Sequence, residues 1–259
     1  MNRLYTALFA FLIFMSPQAI LADWGKTGHR ATGEIASQYL SKKAQRAIDD
    51  LLNGASLALV STYGDEIKSD PKYREFGPWH YVNYPFGADY QTSPKSDRGD
   101  IIVAIQKCVA VLKDKTSSKE DKAFYLKLLV HFLGDLHMPL HVGIADDLGA
   151  NRFQVQWFDD GTNLHRVWDE NLIEYYNMSY TELAQNAMRL SEAQLKMIQG
   201  GTVLDWMAES RELCEDVYEN TKVGANLKYD YAYRYMDTVR SQLQKGGIRL
   251  AVLLNDIFG

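Results

Sequence analysis

The chain has 259 residues, with 33 acidic against 28 basic side chains and a formal net charge of −5. That balance excludes a broad basic groove for nucleic acid, and the longest basic run is Lys42-Lys43. Any handling of phosphates must draw on a local source of positive charge. The length suits one domain, or at most two, and is enough to bury a sizeable core without staples.

The first residues, MNRLYTALFAFLIFMSPQAILAD, pair Arg3 with an apolar run too short to span a bilayer. Pro17 breaks the run, and the small residues of AILA follow. This is the pattern of a cleaved export signal over residues 1–23, ahead of a mature domain over 24–259. A periplasmic or secreted monomer with no membrane anchor is expected. Helical spacing then runs through ATGEIASQYLSKKAQRAIDDLL, residues 31–52, and stops at Asn53-Gly54. A second helix is expected over SLALVSTYGDEIKS, residues 56–69, ending before Pro71. Residues 77–98, rich in Gly, Pro and aromatics, read as loop. Helices follow over 101–113 and 117–137, the latter opening on a Ser-rich cap and ending before Pro139. In NRFQVQWF, residues 151–158, Phe153, Val155 and Trp157 alternate with Arg152, Gln154 and Gln156. That period belongs to a strand in a small hairpin. The segment TNLHRVWDENLIEYY and helices near 180–198, 202–221 and 228–256 complete the chain. The class is all-α: a single mainly helical domain with a short β-hairpin or irregular insertion near 145–160. Cys108 and Cys214 fall in helical segments, and export leaves their pairing open.

The histidines are informative through their neighbours. In HFLGDLHMPLH, His131 and Asp135 stand at i, i+4, and Pro139 turns the chain to bring His141 back. In LHRVWD, His165 and Asp169 repeat the spacing. Asp65 lies on an otherwise apolar helix, and His80 in an aromatic loop. Each alone has an ordinary reading as a capped pair or a solvated side chain. Together they suit a helical-bundle metal site, built from i, i+3 or i, i+4 ligands on facing helices. Imidazole and carboxylate donors without a thiolate suit zinc, and more often leave room for water and catalysis.

The combination WGKTGH, WHYVN, HFLGDLHMPLH and NLHRVWD, in this order and at these separations, resembles the zinc-dependent single-strand-specific nucleases, the nuclease S-one/P-one family. The resemblance runs from Trp24 to about Asp169; the helices after residue 180 fit the family's fold but carry no diagnostic motif. It implies three zinc ions in a cleft. Asp65, His80, His131 and Asp135 would hold one. Trp24, through its terminal amine and carbonyl, would hold the second with His29 and the bridging Asp135. His141, His165 and Asp169 would hold the third. His137 is left over, with a packing or supporting role. Lys68 shares Asp65's face and is placed to stabilise the phosphate, beside Asp65 in the catalytic machinery. Tyr81 would stack on a base, with Asn83 and Asn151 as base-edge contacts. Asn83 stands where an aspartate is common and Ala150 where a glycine is, so base preference is open. The peptidase rule favours cutting after Ala22, whereas the resemblance requires Trp24 to be exposed.

The implied activity is hydrolysis of single-stranded DNA and RNA, and of 3′-mononucleotides, at the P–O3′ bond. A hydroxide bridging two zincs would attack, leaving 5′-phosphate products. Three Zn²⁺ would set about +6 of charge against the chain's −5, concentrated in the cleft. One rival is a zinc phospholipase C, which shares the fold but usually has a glutamate where Asp169 stands. Another is a non-catalytic exported zinc-binding protein.

Overall fold

The computed structural model describes residues 25–259. The expected leader and the expected ligand Trp24 lie outside the described residues. The mainly helical class holds. α1 (Lys26–Gln38) begins before the expected start and ends at Tyr39. Ser41 then takes extended dihedrals and its hydroxyl accepts from Ala44 N, capping a separate helix α2 (Lys42–Leu52). The single helix expected over 31–52 is therefore two. Its stop is as expected, with Asn53 left-handed at φ 51°.

The helix expected over 56–69 is also divided. It becomes α3 (Leu57–Val60), α4 (Tyr63–Glu66) and a 3₁₀ turn over Ile67–Ser69. A further 3₁₀ stretch, Pro71–His80, replaces the start of the expected loop. α5 (Ile101–Lys113) opens on Asp100, whose carboxylate accepts from Ile102 N and Val103 N. α6 (Lys119–Leu136) is the central helix, buried without a break from Leu128 to Leu136. A 3₁₀ turn over Pro139–Val142 follows.

The expected strand is shorter than its pattern. β1 (Gln154–Trp157) pairs antiparallel with β2 (Asp160–Asn163) through a two-residue turn of Phe158 and Asp159, both at positive φ. α7 (Leu164–Arg166), a π-turn over Val167–Asn171 and α8 (Leu172–Tyr175) then follow without a gap. The helix expected over 180–198 is α9 (Tyr180–Gln185) and α10 (Glu192–Gln199), each opening on a capping box, Ser179 with Glu182 and Ser191 with Gln194. α11 (Val203–Glu219) leads to β3 (Asn226–Leu227), which pairs parallel with β1, and α12 (Tyr229–Phe258) closes the chain.

The apolar side chains form two clusters. One gathers around α5, α6 and the end of α12; the other lies between the small sheet, α8, α11 and the start of α12. Cys108 belongs to the first and Cys214 to the second, and neither is paired. Burial pushes both thiols up, Cys214 to about 12, so neither is a nucleophile. Among the described residues no helix is long and apolar enough to cross a membrane.

Candidate metal centre

The buried stretch of α6 carries His131 and Asp135 at i, i+4, both with no exposed surface. Asp135 Oδ2 lies 3.0 Å from His80 Nδ1 and 3.2 Å from His131 Nε2. Its Oδ1 turns the other way, 3.3 Å from His29 Nε2 on α1. Asp65 on α4 reaches the same histidine pair, with Oδ1 3.4 Å from His131 Nε2 and 3.8 Å from His80 Nδ1. Farther along, His165 Nε2 is 3.0 Å from Asp169 Oδ2, and His141 Nε2 is 3.6 Å from Asp169 Oδ1. Asp169 sits in the π-turn, an element common at functional sites.

Three groups of converging donor atoms result: His29, His131 and Asp135; Asp65, His80 and His131; His141, His165 and Asp169. Every expected ligand among the described residues falls in at least one of them; His131 is common to the first two, and Asp135, in the first, reaches His80 of the second at 3.0 Å. The ring tautomers follow from the partners. His131 Nδ1 donates to Ser61 O, His141 Nδ1 to His80 O, and His165 Nδ1 to Gly149 O. A carbonyl only accepts, so Nδ1 carries a proton and Nε2 is the atom left facing the group, where it can take a second proton or hold a metal.

The donor set fits a metal ion. Asp169 Oδ1 and Oδ2, Asp135 Oδ1 and both ring nitrogens of His29 are buried, yet complete no hydrogen bond. Buried carboxylates without partners are strongly unfavourable, and a cation is what satisfies them. Nitrogen and oxygen donors with no sulfur fit zinc.

The charges show that the carboxylates draw positive charge to this point, a role that a proton on His131 or a cation can fill. Burial works against the charged form of Asp135, but His131 and His141 outweigh it and hold its carboxyl well below the usual range. Burial likewise pushes His131 down, and Asp135 and Asp65 overcome it to raise the ring to about 10. His80 goes the other way, to about 3, because burial dominates and Lys68 adds to it. Lys68 Nζ lies 3.1 Å from Asp65 Oδ1, and burial lowers it to about 8 against the pull of Asp135 and Asp169.

Above the donor groups is a cleft of about 460 Å³ whose lining includes Lys68, His80, Tyr81, Asn83, Asn151 and His165. All three expected base-contacting residues thus share one cleft with Lys68. One wall is a short ladder, Val82 N to His141 O and Tyr84 N to Gly143 O. Arg211 on α11 clamps that wall from behind. Its NH1 donates to Val142 O and Gly143 O, its NH2 to Tyr84 O, and its guanidinium stacks between Tyr84 and Phe86. The other wall is the 147–151 segment, where Leu148 and Ala150 hold positive φ, a conformation costing about 1–2 kcal/mol each. Asp147 holds it, accepting from Ala150 N and from the Tyr218 hydroxyl at 2.9 Å.

Sequence reasoning missed Arg211 and Tyr218, since the C-terminal helices carry no motif. It also missed Gly64 and Gly134. A Cβ at Gly64 would come 2.7 Å from His131 Cγ, and one at Gly134 2.7 Å from His29 Nδ1. The signal was present as a Gly–Asp pair at each position, Gly64-Asp65 and Gly134-Asp135. His137 lies outside the donor groups. Its Nδ1 donates to Leu133 O and its Nε2 accepts from Arg249, which makes it a neutral packing residue.

The chain is similar to known proteins. Endonuclease 4 of Arabidopsis thaliana is 33% identical over 91% of this chain and 89% of its own length. Nuclease P1 of Penicillium citrinum is 28% identical over 91% of this chain and 98% of its own. Nuclease S1 of Aspergillus oryzae is 31% identical over 58% and 55%. The family description S1/P1 Nuclease matches residues 24–259, so it reaches past Asp169 through the C-terminal helices. The chain belongs to the S1/P1 nuclease family, a family of metal-dependent nucleases that hydrolyse phosphodiester bonds.

Proposed function

We propose that this chain is an exported, zinc-dependent phosphodiesterase acting on single-stranded DNA and RNA and on 3′-mononucleotides. It cuts the P–O3′ bond, leaving 5′-phosphate ends on a polynucleotide and releasing orthophosphate from a 3′-mononucleotide. Residues 24–259 act as one nuclease domain once the leader over 1–23 is removed. The proposed ligand sets are Asp65, His80, His131 and Asp135; Trp24, His29 and Asp135; and His141, His165 and Asp169. The observation that carries the reading is Asp135, whose two buried oxygens face different histidines at 3.0 and 3.3 Å, so two donor groups meet at one carboxylate.

When bound, the zinc ions supply a water acidic enough to attack near neutral pH, and positive charge for the phosphoryl and departing 3′ oxygens. Lys68 does the chain's own electrostatic work. At about 8 it remains mostly protonated at neutral pH, and its Nζ can donate to a phosphate oxygen while Asp65 holds it in place. Tyr81 offers its ring to a base, and stacking is worth about 1–3 kcal/mol. A duplex keeps its bases in its own stack, so the ring favours single strands. Asn83 and Asn151 supply amides that both donate and accept at a base edge.

The test is digestion of single-stranded DNA, RNA and 3′-AMP, with and without a chelator. Cleavage that leaves 5′-phosphate ends and stops with chelator is expected. Products ending in 3′-phosphate, or turnover indifferent to chelation, would overturn the proposal.

A further inference from the structure

In the proposed reading the donor groups and the cleft above them take one phosphate and one base, yet a polymeric substrate carries a charge at every nucleotide. A second cavity of about 750 Å³ adjoins the cleft and shares Tyr81, Asn83 and Leu148 with it as a common wall. Its far side is the 90–99 segment, which the metal chemistry does not use. Two cations line it, Lys95 and Arg98, both exposed. Neither makes an ion pair with a described residue, whereas Lys113, Lys119, Arg166, Lys228 and Lys245 are each paired. Lys95 Nζ rests 3.7 Å over the Tyr90 ring, a contact that positions the ammonium without neutralising it.

The lining includes one carboxylate, Asp100, and it is occupied. It is 6% exposed, accepts from Ile102 N and Val103 N at the start of α5, and accepts the Tyr90 hydroxyl at 3.0 Å. The Arg98 backbone is fixed as well, its carbonyl accepting from Trp79 Nε1 at 2.9 Å. The cavity therefore presents two cations, Lys95 set against the Tyr90 ring and Arg98 on a bonded backbone, beside a carboxylate already engaged, and it shares Tyr81 with the cleft as wall.

We propose that this cavity is a second phosphate-binding subsite, in which Lys95 and Arg98 hold the phosphate of the nucleotide adjoining the one in the metal cleft. It deepens the nuclease reading and rests on it. It makes the enzyme favour oligonucleotides over mononucleotides, and it does so on a chain whose net charge is −5. A 3′-mononucleotide fills the cleft alone and gains nothing from the subsite.

The experiment compares wild type with Lys95→Glu, Arg98→Glu and the double variant, each zinc-loaded. The substrates are 3′-AMP and a short single-stranded oligonucleotide. Both side chains are exposed, and a thermal melt by circular dichroism checks that folding is kept. The double variant should lose about tenfold or more in kcat/KM on the oligonucleotide at low salt, and less than about twofold on 3′-AMP. The dependence of log kcat/KM on log salt for the oligonucleotide should flatten by roughly 0.7 for each phosphate that the variant no longer neutralises. Equal losses on both substrates, or none on the oligonucleotide, would overturn the subsite while leaving the nuclease reading intact. Turnover of neither substrate by wild type would overturn the nuclease reading and the subsite together.

Discussion

Gly64 sits beneath the His131 imidazole, and Gly134 beneath that of His29. Each ring comes from a different helix than the glycine it covers, so the two close approaches set how α1, α4 and α6 meet. Gly64→Ala puts a methyl where the His131 ring lies, and the ring cannot retreat without giving up its bond to Ser61 O at 2.7 Å. On helix propensity alone the change favours the helix by about 1 kcal/mol, so any loss runs against local preference. The variant should keep its helical circular dichroism but retain less zinc after dialysis than wild type, measured by elemental mass spectrometry. Unchanged zinc content would show that the ring has room to move. The clustered histidines and aspartates other than Asp65 were legible because i, i+4 spacing and four short motifs mark them; Asp65 was reached through the family resemblance. The glycines were not, although each stands beside a donor aspartate, because what a glycine makes room for comes from elsewhere in the chain.

At the scale of elements, α11 gives the cleft its shape without touching its centre. Arg211 and Tyr218 lie two turns apart on one face and grip opposite walls, Arg211 the 82–86 and 142–143 segments and Tyr218 the strained 147–151 segment. Tyr218→Phe removes a donor from Asp147 and lets the left-handed Leu148 and Ala150 relax. Leaving such a partner unsatisfied costs about 1–3 kcal/mol. KM for a 3′-mononucleotide should rise roughly tenfold at that cost, with kcat and zinc content nearly unchanged. A fall in kcat with KM constant would place Tyr218 in the chemistry, and no change in either would make it scaffold alone. Helix existence was legible across most of the chain; helix ends were less so. The break at Ser41 arises where a polar cap overrides continuous apolar spacing, and that between α3 and α4 falls at Ser61 and Thr62, where the Ser61 hydroxyl donates to Ala58 O. The division of residues 180–198 was readable, since both capping boxes are in the sequence. β3 was not, being two residues long and paired across seventy positions with β1.

At the scale of the molecule, the donor groups draw on segments from His29 to Asp169 and bind the N-terminal helix to the middle of the chain. α1 meets the π-turn through Gly25 N to Asp169 O at 2.9 Å, and both contribute donors. The α5–α6 core is apolar and packs without help from a metal. Metal removal should therefore loosen the molecule unevenly. A site held at a thousandfold over its Kd contributes about 4 kcal/mol to stability. For a domain of this size each kcal/mol is roughly 2–4 °C of Tm, so stripping one such site should lower Tm by roughly 8–16 °C. Hydrogen exchange should show where. Protection should fall first in α1 and over 139–169, while α5 and the buried half of α6 keep theirs until global unfolding. A chelated protein with an unchanged Tm would mean that the donors hold no metal. A uniform loss of protection would mean that the ions support the whole core rather than the junction between its parts.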